Sequence, residues 1–193
     1  MKTITNLLSN TFNLAVIIGS IFIADLAFGQ TVIADDNDVT YNSSIRGVNR
    51  DLFPEVYCMA LNVYYESRGS NLADQYAVAD VVLNRVEDTR YPNTICEVIR
   101  QGKKNSDGSL KRNACQFSWY CDGKSDVPRD EESWSRAQSI AWNIVMAKNY
   151  RGITEGSTHY HATYVNPSWT SSKPGFSITR VGRIGNHIFY RWN

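Results

Sequence analysis

Glu66 is a charged side chain at a position built for an apolar one. In Val56-Tyr57-Cys58-Met59-Ala60-Leu61-Asn62-Val63-Tyr64-Tyr65-Glu66-Ser67-Arg68-Gly69, residues Val56, Met59, Ala60, Val63 and Tyr64 keep the spacing of an amphipathic helix's buried stripe. Met59, Val63 and Glu66 extend that stripe by one and then two turns, and Gly69 supplies a stop. A carboxyl drawn half out of water resists ionisation, and a proton retained near neutral pH is what a general acid needs. On spacing alone, the alternative is a helix-end glutamate that leans out to pair with Arg68.

Other chemistry-bearing residues fall into three groups. His159 and His161 stand two apart on a predicted strand and share a face, with His187 opening a later strand. Three imidazoles with an open position would make a catalytic zinc site with Glu66 as base, the rival enzyme reading. The other reading is local hydrogen bonding by strand histidines. Cys115-Gln116-Phe117-Ser118-Trp119-Tyr120-Cys121 mixes amides, hydroxyls and rings, which suits a sugar-lining loop and equally a loop that plugs the core. Among carboxylates that might partner Glu66, Asp74 reads as a helix cap and Asp80 as a solvent-facing residue beside Val78 and Val82, while Asp122 has no positional signature. One glutamate acting alone then fits better than a pair. It would protonate a leaving oxygen and afterwards take a proton from an internal sugar hydroxyl. No Gly-x-Ser-x-Gly turn and no phosphate-binding glycine loop is present.

The elements that must position these groups are helices first and strands last. A helix is predicted from Asp74 to Val86, with Asn84 and Arg85 near its end facing either a groove or the sheet. Thr94-Ile95-Cys96-Glu97 is a capping box for a short helix, and Lys103 to Asn113 reads as a polar loop. The longest helix is expected from Asp130 to about Asn149, with Trp134, Ala137, Ala141, Ile144, Val145 and Lys148 on one face. Thr158 to Tyr164 alternates as a strand, and Ile178–Ile184 and His187–Trp192 read as a hairpin closed by Gly185-Asn186. That order implies an α+β domain.

The chain has 193 residues with 20 basic against 19 acidic side chains, and no basic tract that would make nucleic acid its partner. Leu14 to Ala24 is an apolar run too short to span a bilayer comfortably. With Lys2 before it and Ala27-Phe28-Gly29 after it, residues 1–29 are expected to be a signal peptide or an anchor that touches the membrane transiently. Residues 30–50 read as a linker and 51–193 as the working domain, a monomer facing the periplasm or exterior. Four cysteines in such a compartment predict two disulfides rather than zinc. Three pairings are possible. Cys115 with Cys121 would close a small loop, leaving Cys58 with Cys96.

The stretches Ala60 to Gly69, Ala77 to Val86, Gln116 to Trp119 and Gly185 to Tyr190, in that order, resemble the cell wall hydrolases of the SleB and CwlJ type. The resemblance covers roughly Pro54 to Trp192. It implies a lysozyme- or lytic-transglycosylase-like helical lobe beside a small antiparallel β-sheet near the C-terminus. It also implies a glycosidase that acts on peptidoglycan glycan strands between N-acetylmuramic acid and N-acetylglucosamine without a cofactor, with Glu66 as the acid/base. Gln116, Ser118, Trp119, Tyr160, His161, Trp169 and Asn186 become the expected substrate contacts, Trp119 and Trp169 by stacking. Residues 31–50 are too short to be the peptidoglycan-binding repeats of the spore enzymes.

Overall fold

The structure, a computed structural model, describes residues 47–171 and 173–193, all within the compact unit that runs from Tyr41 to Asn193. The expected leader, and all of the linker except residues 47–50, lie outside the described residues. Helix α1 (Pro54–Ser67) begins with Pro54 and Glu55 in its first turn, where a fixed φ and an acidic charge both favour a helix start. Its stripe faces inward as the spacing requires: Met59, Ala60 and Val63 are fully buried. Helix α2 (Leu72–Glu87) is capped by Asn71, whose Oδ1 accepts from the Asp74 backbone N–H at 2.9 Å. Asp74 is therefore not the cap; it sits inside the first turn and is completely buried.

Helix α3 (Ile95–Arg100) carries the predicted capping box, with Thr94 Oγ1 accepting from the Glu97 N–H at 3.2 Å and donating to Glu97 Oε2 at 2.9 Å. It is tied to α1 by the Cys58–Cys96 disulfide and by the Cys96 N–H donating to Glu55 Oε2 at 3.1 Å. Helix α4 (Glu131–Val145) has Asp130 as its cap but ends four residues before Asn149. Lys148 and Tyr150 adopt φ of 56° and 63°, which breaks the helix and removes Lys148 from its face. At 15 residues α4 is also shorter than α2, with 16.

Residues read as a polar loop form instead a hairpin of β1 (Gly102–Lys104) and β2 (Leu110–Cys115). Most of its side chains are exposed, so it shows no alternation of apolar and polar positions by which to recognise it. The Cys115–Cys121 disulfide closes the following loop.

The second sheet has order β3-β5-β4, all antiparallel: β3 (His159–Ala162), β4 (Ile178–Ile184) and β5 (His187–Trp192). The hairpin turn Gly185-Asn186 rests on α2. Gly185 has φ 54°, and a Cβ there would lie 2.6 Å from Cβ of Asp74, so only glycine fits. Ala77 and Val81 of α2 pack on Phe189 of β5 and join sheet to helices. Asp80, expected in solvent, is likewise fully buried. It accepts from the Gly152 N–H at 3.0 Å, the Thr154 N–H at 3.1 Å and Thr154 Oγ1 at 2.6 Å, and it pairs with Arg151. Asn84 donates to Thr154 Oγ1 and the Ser157 carbonyl, so it is an anchor for the segment that leads into β3. The result is an α+β domain, helical lobe beside small sheet. Among the described residues, no helix is long and apolar enough to cross a membrane.

Candidate active site

Glu66 occupies the last turn of α1, half-buried, and does not lean out to Arg68. The Arg68 guanidinium lies over the rings of Tyr64 and Tyr65 instead, at 4.8 and 6.0 Å. Glu66 Oε2 accepts a 2.9 Å hydrogen bond from the Tyr160 hydroxyl. Loss of hydration pushes the Glu66 carboxyl above its ordinary range; the Tyr160 bond and the charges of His187 and Arg85 pull the other way. Tyr160 is held well above the usual phenol range by its own burial and by the neighbouring carboxylate, so it stays a donor.

Behind this pair is a second buried carboxylate. Asp74 Oδ1 is 2.8 Å from His187 Nδ1, and Asp74 Oδ2 accepts from the Asn186 N–H at 2.9 Å. The His187 ring is edge-on to Tyr160 with centroids 5.1 Å apart. The chain of contacts runs Asp74, His187, Tyr160, Glu66. It draws on the start of α2, the start of β5, the middle of β3 and the end of α1. Sequence reasoning set Asp74 aside as a helix cap and gave His187 a role only in the rival zinc reading. The near-adjacent His187 and Gly185-Asn186 turn was the available signal, but its partner stands 113 positions away.

Strand register separates the three histidines. Ala162 pairs with His187, so His187 shares a face with Ala162 and Tyr160, whereas His159 and His161 point to the other face. The three imidazoles do not converge, so the rival three-histidine zinc site is not assembled. His161 Nε2 lies 3.0 Å from the Tyr190 hydroxyl and its Nδ1 2.9 Å from the Ala162 carbonyl. Burial and the Arg85 and Arg90 charges lower the His159 pKa to about 4, so that ring is neutral at physiological pH.

The expected substrate contacts divide in the same way. Trp169 packs on the outer face, its ring 5.5, 5.7 and 5.3 Å from those of His159, His161 and Tyr190. Gln116 and Trp169 line a shallow cleft of about 490 Å³ with His159, Lys173, Pro174 and Phe176. Ser118 is exposed at the start of a short 3-10 turn. Trp119, expected as an open platform, is only 8% exposed. Its Nε1–H donates to Asn62 Oδ1 at 3.1 Å and its ring stacks on Tyr65 at 4.8 Å, and it lines a cleft of about 380 Å³ together with Tyr57, Leu61 and Tyr120. Asn186 is exposed, with its amide 3.4 Å from Ser70 Oγ.

The family model described as Cell Wall Hydrolase matches residues 69–190. The chain belongs to the cell wall hydrolase family. Its similarity extends to a spore cortex-lytic enzyme of Bacillus cereus, 28% identical over 156 residues, covering 81% of this chain and 51% of the relative. A spore cortex-lytic enzyme of Halalkalibacterium halodurans is 30% identical over 135 residues, 70% of this chain and 34% of the relative. The chain thus spans about half the length, or less, of the curated relatives it matches. Among solved structures, the catalytic domain of the germination-specific lytic transglycosylase SleB from Bacillus anthracis aligns with TM-score 0.50 and 26% identity. That alignment covers 75% of this chain and 97% of the SleB domain. The family match takes in Tyr160, Asp74 and His187 and begins three residues after Glu66.

Proposed function

We propose that this chain is an exported glycosidase of peptidoglycan. It cuts the β-1,4 bond between N-acetylmuramic acid and N-acetylglucosamine with Glu66 as sole acid and base. The observation that carries this reading is the Glu66 carboxyl, stripped of much of its water and held through one oxygen by Tyr160. Among the described residues the other oxygen, Oε1, takes no hydrogen bond, and the side chain is only half-buried. Oε1 is then the atom that carries the proton toward substrate.

In the first step Oε1–H protonates the bridging oxygen as the C1–O4 bond breaks and positive charge develops at C1. Glu66, now ionised, is stabilised by the Tyr160 hydroxyl. In the second step the carboxylate takes the proton from the sugar's own C6 hydroxyl, whose oxygen closes on C1. One C–O bond is lost, one is gained, and a proton moves from O6 to O4 through Glu66. The nearby carboxylate Asp74 is committed to His187 and the Asn186 N–H, and fully buried, so it is not available to activate a water. That favours ring closure, the lytic transglycosylase outcome, over hydrolysis.

Gln116, Ser118 and Trp169 hold the glycan away from the reacting bond, Asn186 and Tyr160 closer to it, and His161 supports Trp169. The two disulfides suit an oxidising compartment, and the protein works there as a monomer. Purified sacculi treated with the enzyme test the proposal. Mass spectrometry should find muropeptides with 1,6-anhydro ends; reducing ends would convert the reading to a muramidase, and no soluble product would refute it.

A further inference from the structure

A cleft of about 380 Å³ opens along α1 on the N-terminal side of Glu66, and the reaction steps make no use of it. Tyr57, Leu61, Trp119 and Tyr120 give it aromatic and aliphatic walls, which the largely exposed Val127 extends. Three ionisable groups also line it: Arg50 from the segment before α1, Arg100 at the end of α3 and Asp126 from the segment before α4. Among the described residues, none of the three has a partner of opposite charge. Arg50 lies over the Tyr57 ring at 5.8 Å, and the Arg100 guanidinium reaches Cys58 Sγ at 3.7 Å. The Cys58–Cys96 disulfide ties α3 to α1 and so fixes the backbone from which Arg100 projects.

Two cations and an anion that do not neutralise one another match a ligand of the reverse pattern, with carboxylates and an ammonium on a partly apolar frame. A strand of N-acetylated sugars is neutral and has no use for such a set. The short peptide carried on the lactyl group of N-acetylmuramic acid has all of it: the carboxylates of its glutamate and diamino acid, the free amine of the latter, and alanine methyls. Distance permits the match. Leu61 and Tyr57 stand about 8 and 14 Å from Glu66 along the helix axis, and four extended peptide residues span about 14 Å. Trp119 of the cleft wall stacks on Tyr65, whose chain neighbour is Glu66.

We propose that this cleft binds the stem peptide of the muramic acid being cut, with Arg50 and Arg100 taking its carboxylates and Asp126 its amine. The inference rests on the peptidoglycan reading of the Glu66 site. Its binding arm needs no turnover: the tripeptide L-Ala-γ-D-Glu-meso-diaminopimelate is titrated into the full chain carrying Glu66→Gln. The Trp119 indole N–H signal in NMR should shift and saturate at millimolar peptide. Adding Arg100→Gln should weaken that binding several-fold. Asp126→Asn should weaken it for the free tripeptide but not for the tripeptide acetylated on its diaminopimelate amine. A Trp119 signal that ignores the peptide overturns the proposal. So does one that answers polyphosphate equally well, or one that moves with protein concentration alone, the mark of a second copy in the cleft.

Turnover supplies the other arm. The rate on glycan strands that carry stems, divided by the rate on strands stripped of them, should exceed one and should fall toward one in Arg100→Gln. A ratio of one in the unsubstituted chain overturns the proposal and leaves the glycosidase reading standing. Tripeptide binding by a chain that cuts neither strand would keep the peptide site and sink the glycosidase reading instead.

Discussion

The two faces of the β3-β5-β4 sheet use the same residue types for different ends. On the inner face, Tyr160 and His187 lie against α1 and α2, where two carboxylates without a lysine or arginine partner, Glu66 and Asp74, complete a polar chain. On the outer face, His159 and His161, one residue either side of Tyr160, are members of an aromatic cluster with Trp169 and Tyr190. The difference comes from what covers each face. Helix ends bring carboxylates and a desolvated space, in which proton affinity is tunable. The outer face is covered by an aromatic loop, in which an imidazole acts chiefly as a ring. The proposed chemistry therefore lies on the face that meets the helix termini.

The strongest challenge to that contrast is Glu66→Gln. Turnover should fall by roughly 10²- to 10⁴-fold while sacculus binding persists, read as kcat and as pelleting with sacculi. The same variant should be more heat-stable than the wild type at neutral pH. Because the folded Glu66 pKa lies above 4.5, the native state binds more protons in the window just above that value. Its stability is complete below 4.5 and is lost as pH rises through the folded pKa, a loss the amide does not suffer. Melting temperatures compared across pH should converge toward the acid end.

Asp74→Ala cuts the inner chain at its root and leaves the Asn186 N–H and His187 without their acceptor. A stability loss of about 3 kcal/mol in denaturant unfolding is expected. Tyr160→Phe removes one charge-assisted bond, so kcat should drop roughly tenfold with little change in KM, and the alkaline limb should move up. Trp169→Ala sharpens the comparison from the other side: KM on sacculi should rise several-fold with kcat near wild type. A kcat collapse in that variant would mean that the outer face takes part in the reaction itself.

Much of the frame was legible because it is local. The inward stripe of Met59, Val63 and Glu66, the Thr94 cap and the 178–192 hairpin each depend on residues within a few positions of one another. What escaped reading depends on partners far along the chain. Asp74 and Asp80 look like surface acids until the 185–186 turn and the 151–154 segment, more than 70 positions away, fold onto them. The face on which each histidine lies required the register of β3 on β5, which alternation within one strand cannot supply. The β1–β2 hairpin left no trace because neither of its faces is buried.

The close approach of Gly185 to Asp74 tells an engineer where this scaffold will accept foreign sequence. The β1–β2 tip around Asn105–Ser109 is exposed, so an epitope or fluorescent reporter grafted there should be carried passively. The tip at Gly185-Asn186 is seated like a key on the helix behind it, and any added residue there would transmit its displacement straight along the polar chain to Glu66.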